Sequence, residues 1–168
     1  MADQYQLGRH GDVISVDTAE DIVAHLVRFA GQSRRLVQLF SPTLTHALYN
    51  DARFIEALSK SIRENRRKRV QILLSNPSPS ISRGHRMVAL AEKLSSYIEI
   101  RRTHKDFQNI SNEYLLADKR AYLFRPNAER YTCDVCYNDP LTTDSYYKRF
   151  LEIWESSTRE REFLRLHI

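Results

Sequence analysis

The stretch "RRTHKDFQNISNEYLLADKRAYLFRPN", Arg101 to Asn127, decides the fold. Its second half holds two apolar runs, "NEYLLAD" and "AYLFRP", separated by Lys119 and Arg120 alone. Two such runs so close together read as a β-hairpin, although Lys-Arg is poor chemistry for a two-residue turn. Its first half holds His104, Lys105 and Asp106 side by side. Neighbouring residues on a strand point to opposite faces, whereas residues two apart share one. A consecutive triplet therefore cannot set an imidazole beside an ammonium on one strand face, and attention shifts to the hairpin. With a two-residue turn, 118 pairs with 121 and 114 with 125, which leaves Glu113 only a diagonal approach to Arg125.

Upstream, strands alternate with helices. "DVISV" reads as a strand, and "DTAEDIVAHLVRFAGQS" as a helix capped by Asp17 or Thr18 and stopped by Gly31. "RRLVQLFSP" is a compact apolar strand, and "DARFIEALSKSIRENRRKR" an amphipathic helix on Phe54, Ile55, Leu58 and Ile62. "VQILLSNPSPS" is a second buried strand, "RGHRMVALAEKLSS" is helical, and "YIEIRRT" is a strand. Beyond the hairpin, "TTDSYYKRFLEIWESS" is a helix on Tyr147, Phe150, Leu151 and Trp154, capped near Thr142 or Asp144. The tail "REREFLRLHI" either continues that helix or adds an edge strand, the second being the reading preferred. The alternation predicts an α/β fold: a mixed, mostly parallel sheet with helices on both faces and an antiparallel hairpin added late. Ligands of such sheets bind outside the carboxyl ends of the strands. Three of those ends carry hydroxyls or amides followed by a base: "LFSPTLTH" with His46, "LLSNPSPSISRGH" with Arg83 and His85, and "IRRTHKD" with His104 and Lys105. They form either an anion-holding rim or ordinary strand terminators with solvated histidines.

The chain of 168 residues is long enough for one domain, residues 1–168, with a proper core, and its 42% apolar content is ordinary globular composition. No apolar run approaches the length of a membrane span, so no membrane insertion is expected. Two cysteines and the absence of an apolar leader point to a reducing, cytoplasmic setting. A net charge of +5 gives some attraction to phosphate. Much of the excess sits in "RENRRKR", read first as the solvated end of a helix and second, with Arg101 and Arg102, as a nucleic-acid contact through Arg66, Arg67, Lys68 and Arg69.

The order of these pieces resembles one half of a phospholipase D-like protein, most closely over residues 34–155. "RRLVQLFSPTL", "EALSKSIRENRRKRVQILLSN", "KLSSYIEIRRT" and "YYKRFLEIWE" are similar to successive segments of that family. Its motif is His-x-Lys-x4-Asp, followed on the hairpin partner by Gly-Ser-x-Asn. Asp118 fits the motif Asp. Counting back seven and five residues places Ser111 where the nucleophilic His belongs and Glu113 where the phosphate-binding Lys belongs. Of the second element only Asn127 is kept, at the end of Phe124-Arg125-Pro126-Asn127. The family's His forms a covalent phosphohistidine, and its Lys and Gly-Ser turn hold the equatorial oxygens as charge develops. A glutamate at 113 repels those oxygens, so the resemblance implies a vestigial motif (Ser111, Glu113, Asp118, Asn127) and no catalysis.

Arg125 is read two ways, as an anion contact where the family brings backbone close to phosphate, or as an ion pair with Glu113. With Arg101, Arg102, His104 and Lys105 it completes a set of anion-binding candidates. The resemblance also implies a bacterial setting and a homodimer, since single-motif members pair their half-sites. The reading is therefore a non-catalytic binding or regulatory module that takes a phosphate-containing ligand or a protein partner. Its rivals are a phosphodiesterase rearranged around His104 and a nucleic-acid binder. Cys133 and Cys136 lack the further ligands zinc needs, and nearby Asp134 and Asp139 disfavour a thiolate, so they are read as packing residues. No metal or cofactor is expected. The aromatic residues of the last helix have core spacing rather than that of a stacking platform.

Overall fold

The computed structural model describes residues 5–79 and 84–159. Strand β1 (Ile14–Val16) leads into helix α1 (Ala19–Gln32), whose first turn is capped by Thr18 Oγ1 accepting the Asp21 N–H. The helix runs through Gly31 instead of stopping there. Gln32 holds its end, accepting the Leu7 N–H and donating to the Tyr5 carbonyl, so tertiary anchoring outweighs the glycine. Strand β2 (Leu36–Ser41) follows, then a single helical turn α2 (His46–Tyr49), too short for any periodic signal. Helix α3 (Ala52–Glu64) is capped by Asp51 and buries Phe54, Leu58 and Ile62 on one stripe, each worth about 1.5–3 kcal/mol of transfer energy.

Strand β3 (Arg69–Leu74), helix α4 (Arg86–Lys93) and strand β4 (Ile98–Arg102) complete the first half. A 3-10 turn (Lys105–Phe107) then leads to β5 (Glu113–Ala117) and β6 (Ala121–Arg125). Strand β7 (Cys133–Cys136) comes from "YTCDVCYND", where the cysteine spacing and flanking acids obscured a simple alternation of Cys133 and Val135 inward and Asp134 outward. Helix α5 (Pro140–Ser156) starts earlier than Thr142. Asp139 accepts the Thr142 N–H, and Pro140 occupies the first turn, where its missing N–H costs nothing. Thr158–Arg159 forms β8. The rest of the expected tail strand, Arg83 of the expected rim and Met1–Gln4 lie outside the described residues.

Eight described strands join in the order β1-β7-β6-β5-β2-β3-β4-β8. Among them only β2–β3 and β3–β4 pair in parallel. The sheet is therefore mixed but mostly antiparallel, not mostly parallel. The chain leaves β4 and inserts β5 antiparallel to β2, and β6, β7 and β1 extend that side by further antiparallel pairing. Alternation along the strands divides the core. Val37, Leu39, Val70, Ile72, Leu115 and Leu123 meet α1–α4, whereas Phe40, Leu73, Tyr114, Leu116 and Tyr122 meet α5.

The hairpin register differs from that expected by one residue. Asp118 and Lys119 both take left-handed φ (53° and 57°), Arg120 N–H bonds the Ala117 carbonyl, and three residues lie between the paired Ala117 and Ala121. An aspartate tolerates that conformation better than most residues. The shift brings Glu113 directly opposite Arg125.

Candidate functional site

All five positions of β5 are buried, so the carboxylate of Glu113 is stable only if other groups match it. Its Oε1 accepts the hydroxyls of Ser41 and Thr45, and its Oε2 accepts the Tyr49 phenol at 3.0 Å and pairs with Arg125 Nη1. Burial, and then the neighbouring carboxylate, push the Tyr49 phenol well above its usual pKa, so it stays a donor. The guanidinium is equally committed. Nε donates to the Arg130 carbonyl, Nη2 to the carbonyls of Ala128 and Arg130, and Nη1 to Thr45 Oγ1 and Glu113. A guanidinium carries five N–H donors, and all five have partners. Arg125 and Glu113 are 1% and 0% exposed. A neutral, sealed ion pair thus joins β5 to the end of β6.

The strand-end loop after β2 closes over this pair. Ser41 Oγ accepts the Leu44 N–H at 2.9 Å while donating to Glu113, and Leu44 is held at a left-handed φ of 60°. Such strain in a leucine persists only where surroundings over-determine it. His85 supplies part of that constraint. Its Nδ1 accepts the Met87 N–H and caps α4, so Nε2 carries the proton and donates to the Leu44 carbonyl at 2.9 Å. Burial drops the imidazole pKa to about 4, partly opposed by that bond. The hydroxyls of Ser41 and Thr45 in the "SPTLTH" rim therefore point into the protein. Ser41, Thr45 and Tyr49 went unnoticed as site residues. The signal was present: a carboxylate in an otherwise apolar strand needs a cation and donors, and Arg125 is the one basic residue of the partner strand.

The remaining sequence-derived positions do not converge. Ser111 is exposed, and its carbonyl accepts the Ala128 N–H. Asn127 folds a local turn, its Oδ1 accepting the Glu129 N–H. Asp118 lies at the far end of β5 from Glu113, about 16 Å away by strand rise. Its carboxylate accepts the backbone N–H groups of Arg34, Arg35 and Leu36 and so fixes the start of β2. Arg101 pairs with Glu99 and lies 4.2 Å over the Trp154 ring, on the α5 face. Arg125 faces the other way and is four strands distant, about 19 Å at ordinary spacing. Arg102 ends β4 half-buried, and Lys105 is exposed. His104 is exposed, with Nδ1 accepting the Asp106 N–H.

The basic tract is not the end of a helix. α3 stops at Glu64, Arg66 and Arg67 form a turn, and Arg69 begins β3. Lys68 is 0% exposed, so it is no surface cation. Its ammonium donates to the Ala30 and Ser33 carbonyls at the end of α1 and to Ser61 Oγ, and desolvation lowers its pKa to about 8. Cys133 and Cys136 stand three apart on a strand and so belong to opposite core layers. Burial raises both thiols, Cys133 to about 12. Among the described residues no group of three His, Cys, Asp or Glu could hold a metal, and no helix is long and apolar enough to cross a membrane.

The model of a family described as a domain of unknown function (DUF7931) matches residues 18–166. No curated protein matches the chain. Among solved structures, the chain is similar to NUC of Salmonella typhimurium, a phospholipase D family member, with TM-score 0.64 and 12% identity over 89% of this chain and 97% of that one. NucT of Helicobacter pylori is similar at TM-score 0.58 and 14% identity, with 89% and 100% covered. TrmBL2, an archaeal chromatin protein with a novel mode of DNA binding, aligns at TM-score 0.66 and 13% identity. That alignment covers 95% of this chain but only 57% of the chromatin protein. The fold is phospholipase D-like.

Proposed function

For a chain that belongs to the DUF7931 domain family, we propose a non-catalytic role, as a phospholipase D-like binding or regulatory module. The observation that carries the reading is the sealed Glu113–Arg125 pair. Phosphoryl transfer by this fold needs a nucleophile and preorganised positive charge facing a substrate oxygen. At the matching positions stand an exposed serine hydroxyl and a carboxylate whose counter-charge is already spent. Each of the five guanidinium N–H groups would have to give up a partner before a phosphate could take its place. That supports a protein partner over an anion in this crevice. A homodimer, which the family resemblance implies, belongs to the same proposal and is tested by light scattering, where a clean monomer on dilution would count against it.

The rival reading places a rearranged phosphodiesterase on His104, which is exposed but has no lysine beside it on a common strand face. Incubation with bis-p-nitrophenyl phosphate and with phosphatidylcholine separates the two. No turnover is expected. Turnover that disappears in His104→Ala would establish the rival.

A further inference from the structure

A second concavity, of about 450 Å³, opens on the β3–β4 side of the sheet, lined among others by Arg69, Gln71, Tyr97, Arg101, Trp154 and Arg159. Its cations are held by aromatic rings. The Arg69 guanidinium lies 5.0 Å from the Tyr97 ring centre and that of Arg66 lies 5.6 Å from it. Arg66 Nη1 also donates to the Tyr97 phenol, and Arg69 Nη1 to the carbonyls of Arg66 and Lys68. Arg101 stacks on Trp154, while Arg101 and Arg159 share the Glu99 carboxylate. Among the described residues no carboxylate pairs with Arg66, Arg67 or Arg69. Arg53, by contrast, pairs with both Glu20 and Asp51, and Arg149 with Glu152. Three arginines, Arg69, Arg101 and Arg159, thus line the cleft against one carboxylate, Glu99, with Arg66 and Arg67 beside Arg69, and side chains already immobilised lower the ordering cost of gripping an anion.

The arrangement also selects the class of ligand. The ring faces nearest the cleft are occupied by guanidinia, so they offer no platform to a base, and only phosphate recognition remains. From Arg69 at the start of β3 to the level of Arg101 the cations extend four strand residues, about 13 Å. That length spans about three successive phosphates of an extended single strand, whose spacing exceeds the ~3.4 Å axial rise per strand of a duplex. A single small anion would leave most of it unused, and a concavity of this size admits one strand rather than a duplex. We infer that this cleft binds the sugar-phosphate backbone of single-stranded nucleic acid without reading its bases. The inference is independent of the sealed motif position, so it stands or falls separately from the absence of catalysis.

Fluorescence anisotropy with a labelled oligothymidylate, titrated at several salt concentrations, tests it. If about three phosphates are engaged, the slope of log affinity against log salt is about −2. Arg66→Ala/Arg69→Ala should weaken binding about tenfold at low salt and flatten the slope by about one to two. Ser96→Arg, which adds a cation among the lining residues, should tighten binding, a gain that misfolding does not mimic. Arg53→Ala, remote and ion-paired, should change nothing. The inference is overturned by wild-type protein that does not bind, by binding indifferent to Arg66 and Arg69, or by an equal loss in Arg53→Ala. Displacement by inorganic phosphate at oligonucleotide concentrations would overturn it too, since a small-anion site would then suffice.

Discussion

Replacing Glu113 with Gln removes the carboxylate from a fully buried position and leaves the Arg125 guanidinium without its counter-charge. Four donors converge on that carboxylate, from Ser41, Thr45, Tyr49 and Arg125. An amide offers one oxygen and adds a nitrogen donor, so at least one of the four must turn away unpaired. Breaking a buried pair from one side costs about 3–5 kcal/mol. For a chain of this length each kcal/mol lowers Tm by about 2–4 °C, giving a fall of about 6–20 °C. Urea titration followed by fluorescence of the single tryptophan, Trp154, checks this, because that residue sits on the opposite face of the sheet and reports global unfolding. Glu113→Leu/Arg125→Met should lose less than the sum of the two single variants, with a coupling of about 2–3 kcal/mol. A loss below about 1 kcal/mol in Glu113→Gln would instead mean that water already reaches the pair and that it is not sealed.

Lys68 is neutral more readily in the folded protein than in the unfolded chain, where its pKa is the ordinary 10.5. The unfolded state therefore binds the extra proton between about pH 8 and 10.5, and stability gained from this group rises with pH across that window. The gain, on the order of 3 kcal/mol, should vanish in Lys68→Met when denaturation midpoints are compared at stepped pH. His85 has the same sign at lower pH. With its folded pKa near 4 against the ordinary 6.5, stability should fall as pH drops through that interval, and His85→Asn, which keeps a capping oxygen, should flatten the curve. Asp118→Asn keeps a residue suited to left-handed φ but loses the charge that accepts three backbone N–H groups. A cost of about 1.5–3 kcal/mol is expected in the same urea assay.

What could be read from sequence was what local periodicity governs. The stripe of α3 and the apolar runs of β2, β3, β5 and β6 each carry their own signal, and each lies in the expected kind of element. Strand β7 was hidden because a Cys-x-x-Cys spacing invited a chemical reading of residues that merely alternate between two core layers. The direction of strand pairing was not legible, since it depends on where β5 inserts, and nothing local in "NEYLLAD" says that its neighbour is β2. The site was half legible. Ser111 and Glu113 stood out against the family motif, but the direct opposition of Glu113 and Arg125 depended on a three-residue turn built from two left-handed residues, neither of them glycine. Lys68 was misplaced for a related reason. A lysine inside a run of arginines reads as solvated, and only the fold reveals the carbonyls of α1 waiting for it.

We propose that the end of β5 beside Arg125 is filled by protein and closed to phosphate. Crystals soaked in phosphate, compared between wild type and Glu113→Gln, test it most directly. In the wild type the account expects continuous density joining Glu113 to Arg125, with Ser41, Thr45 and Tyr49 on the carboxylate and no anion between Ser111 and Arg125. An anion bound there in the wild type, with the guanidinium turned towards it and away from Glu113, would contradict it.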